Sequence, residues 1–66
     1  MGNKALGKNL KEARLKLELT QKEVAEKAEV STNWYARLER GEENVSQTTL
    51  EIIFKILKLK IPYPFS

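Results

Sequence analysis

The sequence predicts an all-α fold: four short helices built as one bundle over about residues 4–59, with an extended tail over 60–66, so that 1–66 is a single domain. Three observations predict it. Four small polar residues, Asn3, Thr20, Ser31 and Ser46, stand where helix N-caps would, and side chains of this type satisfy the open amides of a first helical turn. Each precedes apolar residues that step by three and four, the spacing that gathers them on one helix face. At 66 residues, without an internal repeat or a low-complexity segment, the chain holds one small core, since domains of this size bury only about 60% of the surface their unfolded chain exposes.

In the first helix Leu6, Leu10, Ala13 and Leu17 share a face after Asn3, while Lys4, Lys8, Lys11 and Glu12 fall outside it. Gly7 weakens this helix by about 1 kcal/mol relative to Ala, and its small size lets another segment approach closely. Thr20-Gln21-Lys22-Glu23 is a capping box, in which hydroxyl and carboxylate serve each other's backbone amides. It opens a short second helix with Val24, Ala25 and Ala28 inward, small Ala25 allowing the next helix to cross closely. Ser31 caps a third helix over 32 to about 40, with Tyr35 and Leu38 at core spacing and Gly41 suited to a left-handed cap. Residues 42–45 read as an exposed loop. Ser46 caps a fourth helix to about Leu57, where Leu50, Ile53, Phe54 and Leu57 form one stripe and Ile52, Ile56 and Leu59 a second. One small domain has little room to bury both, so the second stripe points to a partner surface. Pro62 and Pro64 stop any helix in the tail, which then folds back or reaches across to another subunit.

Composition narrows the function classes. The chain has no cysteine and no histidine, which removes disulfides and thiolate zinc sites and leaves only carboxylates to ligate a metal; no metal and no cofactor are expected. Twelve Lys plus Arg against nine Asp plus Glu give +3, a modest basic excess that permits nucleic-acid binding without demanding it. No apolar run approaches the roughly 20 residues that span a bilayer, and the N-terminus lacks a signal-peptide core, so a cytoplasmic location without membrane insertion is expected. The opening Met-Gly resembles a myristoylation site, but Leu6 stands where that motif needs Ser or Thr.

Residues 20–41 read as two short helices joined by a tight turn, the layout of a helix-turn-helix that lays a reading helix in the DNA major groove. Arg14, the Leu19-Thr20-Gln21 and Glu23-Val24-Ala25 runs, Val30-Ser31, Leu38-Glu39-Arg40-Gly41, and Asn44-Val45-Ser46 leading to Leu50, Ile53 and Leu57 resemble the Cro/C1-type, or XRE-type, helix-turn-helix family of phage repressors, restriction-modification controllers and some antitoxins. The resemblance extends from Leu6 to about Leu59. The loop from Arg40 to Ser46 is also similar to that of restriction controllers. The fold so implied is lambda-repressor-like, with a fifth helix in many members that the Pro-Tyr-Pro segment here would replace.

The resemblance implies site residues as well. It puts Thr32, Asn33 and, one turn on, Arg37 against base edges, and the chemistry agrees: Asn pairs bidentately with adenine, Arg with guanine, and a Thr methyl touches thymine. Gln21, Ser31, Arg40 and Asn44 match positions that approach the phosphates, with plain capping as the other reading of Gln21 and Ser31. Arg14 and Glu39 match a family ion pair that ties the first helix to the end of the third. Tyr35 is a core position; Trp34 is expected to pack, with stacking on a sugar-phosphate edge or contact with a thymine methyl as alternatives.

Three departures from the family pattern stand out. Glu18 and Glu29 occupy helix ends where many members have glycine, and Glu42 with Glu43 puts negative charge into a loop that is often basic, where it would repel phosphates. The implied function is a sequence-specific regulator, not an enzyme, that binds double-stranded DNA as a homodimer on a palindromic operator. Its expected dimer surface is Ile52, Ile56, Leu59, Tyr63 and Phe65. Such a protein represses by covering a promoter or activates by touching RNA polymerase, and no small-molecule substrate is expected. The alternative is an antitoxin-like interaction module that clamps a toxin, with DNA binding secondary.

Overall fold

In the computed structural model, which describes residues 3–59, each helix begins at the side chain that the sequence marks for it. The helices are α1 (Lys4–Lys16), α2 (Gln21–Ala28), α3 (Thr32–Glu39) and α4 (Gln47–Ile56), and no strand occurs among the described residues. Asn3 accepts from the Leu6 amide at 2.9 Å, Ser31 from Trp34 at 3.0 Å and Ser46 from Thr49 at 3.1 Å. The Thr20 box is complete: its hydroxyl oxygen accepts from the Glu23 amide at 3.0 Å while its own amide donates to the Glu23 carboxylate at 2.7 Å. Five donors left open by helix geometry are thus satisfied by local side chains.

The C-terminal ends share one solution. At each, a residue with positive φ turns the chain back: Glu18 at 58°, Glu29 at 61°, Gly41 at 78° and Lys58 at 59°. The amide that follows then bonds a carbonyl five residues earlier: Leu19 to Arg14, Val30 to Ala25, Glu42 to Arg37 and Leu59 to Phe54, at 2.8–3.1 Å. This is the Schellman arrangement, which favours glycine because a Cβ is strained in the left-handed region. Glu18 and Glu29 adopt the conformation that their position predicts, and Lys58 is a third non-glycine residue doing so without any advance signal.

Leu10, Val24, Ala25, Tyr35, Leu38, Ile53 and Leu57 are at the centre of the core. Of the α1 stripe, Leu10 and Ala13 are buried, whereas Leu6 and Leu17 are half-buried at its two ends and pack against the core edge. A Cβ on Gly7 would land on the carbonyl oxygens of Leu38 and Glu39, so α1 crosses the end of α3 at this glycine, and no larger residue fits the spacing.

The first α4 stripe, Leu50, Ile53, Phe54 and Leu57, is buried throughout. The second is less open than the sequence predicts: Ile52 is 41% exposed, but Ile56 and Leu59 are half-buried and pack against the core. For Leu59 the reason is the turn at Lys58, which folds it back over the last turn of α4. Tyr63, Phe65, the tail and any fifth helix lie outside the described residues. No described helix is long and apolar enough to cross a membrane.

Candidate nucleic-acid interface

α3 is held by one face and bare on the other. Tyr35 is wholly buried and Leu38 nearly so, while Thr32, Asn33 and Arg37 are exposed. Asn33 and Arg37 are four apart and therefore lie above one another on the same side of the helix. Trp34, between the faces, is half-buried and packs against the core, in line with the packing role expected for it.

What fixes the angle of α3 is a charged seam beneath its last turn. Arg14 Nε donates to Glu39 Oε2 at 2.7 Å and Arg14 Nη2 to Glu39 Oε1 at 3.1 Å, a two-pronged pair whose side chains are 10% and 2% exposed. Arg14 Nη1 also donates to the Leu19 carbonyl at 3.0 Å, and Gln21 Nε2 donates to Glu39 Oε1 at 3.0 Å. α1, the α1–α2 turn, α2 and α3 therefore meet at one buried ion pair, Gln21 bonding its carboxylate and the Leu19 carbonyl its guanidinium. Burial alone would push the Glu39 carboxyl up, but the hydrogen bonds from Arg14 and Gln21 outweigh it and hold it below the ordinary value of 4.5. Glu39 in turn raises Arg14, so both groups stay charged. The Tyr35 hydroxyl is buried next to them without a hydrogen-bond partner among the described residues. Burial first, and then the adjacent Glu39 carboxylate, push it well above its ordinary 10.0, so it remains a neutral phenol.

The outward residues are positioned as follows. Ser31 spends its oxygen on the Trp34 amide, and its hydroxyl hydrogen remains able to donate. Gln21 is half-buried with its amide drawn inward to Glu39; an amide nitrogen has two hydrogens, so a phosphate contact here would share the group with the seam. Asn44 is exposed on the loop after α3. Arg37 and Arg40 are engaged. Arg37 Nη2 pairs with Glu43 Oε2, and Arg40 grips Glu42 with Nε at 3.1 Å and Nη2 at 3.2 Å. The Glu42 bond raises Arg40, and Arg40 holds the Glu42 carboxyl below its ordinary value.

The sequence reading missed these two partnerships, treating Glu42 and Glu43 as a repelling loop only. The signal was present: two carboxylates directly follow the glycine that turns the chain back along a helix with one arginine in its last turn and another at its C-cap. A positive φ of 78° and a Cβ position blocked by Lys4 leave glycine as the residue for site 41, and the resulting turn brings the acids beside the arginines.

A helix-turn-helix family model matches residues 10–63 of this chain. Among solved structures, the crystal structure of the clp gene regulator ClgR from C. glutamicum is similar, with a TM-score of 0.81 and 33% sequence identity over 86% of this chain and 74% of that one. No curated protein matches.

Proposed function

Because the chain belongs to the Cro/C1-type helix-turn-helix family, we propose that it is a transcription regulator which reads double-stranded DNA with α3, as a homodimer on a palindromic operator. The observation that carries the reading is the division of α3 into a face locked by Tyr35, Leu38 and the Glu39 seam and a face that presents Thr32, Asn33 and Arg37 to solvent. A rigid rod with amide and guanidinium tips on one side suits the major groove, where adenine and guanine offer two-point hydrogen bonding. Ser31, Gln21, Arg40 and Asn44 then border the groove as phosphate contacts, which fix register without reading sequence.

In a dimer the two α3 helices lie about 34 Å apart, one helical turn of DNA. Ile52 is the most open candidate for the subunit contact, with Ile56 and Leu59 at its margin; Tyr63 and Phe65 complete the proposed surface. The proposed role involves no small-molecule substrate, and the working location is with DNA in the cytoplasm. The test is selection of bound sites from a random duplex library at fixed salt. A palindromic consensus supports reader and dimer together. Arg37→Ala then relaxes preference at one base position, whereas Gln21→Ala weakens every site alike. Absence of saturable binding to any duplex, or sedimentation as a monomer at high micromolar concentration, overturns the reader or the dimer respectively.

A further inference from the structure

We propose that Glu43 is a specificity-determining residue: by pairing with Arg37 it makes that arginine a reader of neutral base edges and a poor partner for phosphate. The inference rests on the reading of α3 as the DNA-reading helix, and names how one residue of the site is tuned.

Glu42 N donates to Arg37 O at 2.9 Å, so the chain beyond Gly41 returns alongside Arg37 and delivers Glu43 to it. Within the pair the carboxylate is the more shielded member, 22% exposed against 45% for the arginine. The loop therefore holds the acid, and the arginine is the arm that moves.

Charge and hydrogen-bonding capacity then separate. A guanidinium has five N–H donors, and the contact to Glu43 engages Nη2, so a two-donor edge remains for the O6 and N7 of guanine. What the carboxylate removes is the net positive charge. A phosphate oxygen is attracted mainly by that charge, and the same carboxylate repels it. Guanine O6 and N7 are neutral acceptors and lose far less. An arginine paired in this way contributes little on an arbitrary sequence and most where a guanine meets it, which is discrimination obtained by penalising the wrong partner. Glu42 is the internal contrast. Its pair with Arg40 has both side chains more than half exposed and stands past the end of α3, where solvent screens it and no base edge is expected.

The experiment measures binding of the wild-type chain and of Glu43→Gln to the selected operator and to a random-sequence duplex, over a salt series, with melting curves alongside. For Glu43→Gln we expect tighter binding to the random duplex, a log–log salt slope steeper by about 0.9, equivalent to one more phosphate neutralised, and a lower ratio of operator to random affinity. Glu43→Ser, a second neutral variant, gives the same shift if glutamine packs badly. Glu42→Gln tightens both duplexes and leaves the ratio unchanged. In an Arg37→Ala background, Glu43→Gln changes neither slope nor ratio. The proposal is overturned if Glu43→Gln leaves slope and ratio at wild-type values, or if it shifts them equally with Arg37 absent, which would make Glu43 a bulk charge. Failure of the wild-type chain to bind any duplex is a separate result, and overturns the reading of α3 itself.

Discussion

The chain uses arginine–carboxylate pairing in two places, and the two differ in nearly everything except chemistry. Arg14 and Glu39 meet beneath α3, two-pronged, almost sealed from water and tied further to Gln21 and the Leu19 carbonyl. Arg37 with Glu43 and Arg40 with Glu42 meet at the outer edge of the same helix, where only Glu43 is partly shielded from solvent. Burial decides the role. A sealed pair must stay together because either charge alone in the interior is prohibitive, whereas an exposed pair exchanges partners cheaply, water and salt standing in for the lost ion. One helix is thus welded at its base and switchable at its face.

The largest effects are expected at the weld. Arg14→Ala or Glu39→Ala should each cost about 3–5 kcal/mol, most of it the penalty of the charge left behind, and in a domain this small each kcal/mol moves the melting temperature by about 4–8 °C. The double variant should cost much less than the sum, and a cycle showing no coupling would refute the pair's role. The pH dependence follows from the same seam. The Glu39 carboxyl lies below its ordinary 4.5 in the folded chain, so its contribution is complete above that value and is lost as the pH falls through the lower folded value. Melts at descending pH should show stability falling in that acid range, and Glu39→Gln should flatten this part of the curve.

Gly7 tests the same region through packing. Its missing Cβ leaves room for the Leu38 and Glu39 carbonyls, and Gly7→Ala should cost about 1–3 kcal/mol, the usual penalty for forcing atoms into a packed contact. Alanine is otherwise the better helix former, so a variant as stable as wild type would show that α1 and α3 separate easily and that the seam alone holds them.

How much of this was legible beforehand depends on how local the signal is. The N-caps were readable because Asn3, Thr20, Ser31 and Ser46 act within three residues of themselves. The C-terminal turns were readable only at Gly41; Glu18 and Glu29 needed the family resemblance, and Lys58 looks like any surface lysine. Arg14 and Glu39 are 25 residues apart, a distance at which no helical spacing connects them, and they too came from the resemblance. The Glu42 and Glu43 partnerships depend on where the Gly41 turn sends the chain, which is a property of the whole fold and not of the local sequence. The strained turns give the next prediction in size: Glu18→Gly and Glu29→Gly should each stabilise the fold by about 1 kcal/mol through relief of the left-handed conformation, and Lys58→Gly likewise. A fall in melting temperature for all of them would mean that these side chains hold more than their turns.

The Arg40–Glu42 pair separates geometry from burial. Arg40 and Glu42 show good two-pronged geometry, and each shifts the other's pKa in the favourable direction, so on contacts alone the pair resembles Arg14–Glu39. Both groups are nevertheless in water, where the Coulomb gain is screened and two long side chains lose freedom on being held together. Glu42→Gln should therefore leave the melting temperature unchanged at low and at high salt, while Glu39→Gln lowers it at both, because a buried pair is little screened by ions. If Glu42→Gln melted measurably earlier, and the difference vanished in salt, geometry would outweigh burial here. The outer pairs would then be part of the scaffold, and Arg40 would not be released to a phosphate without loosening the end of α3.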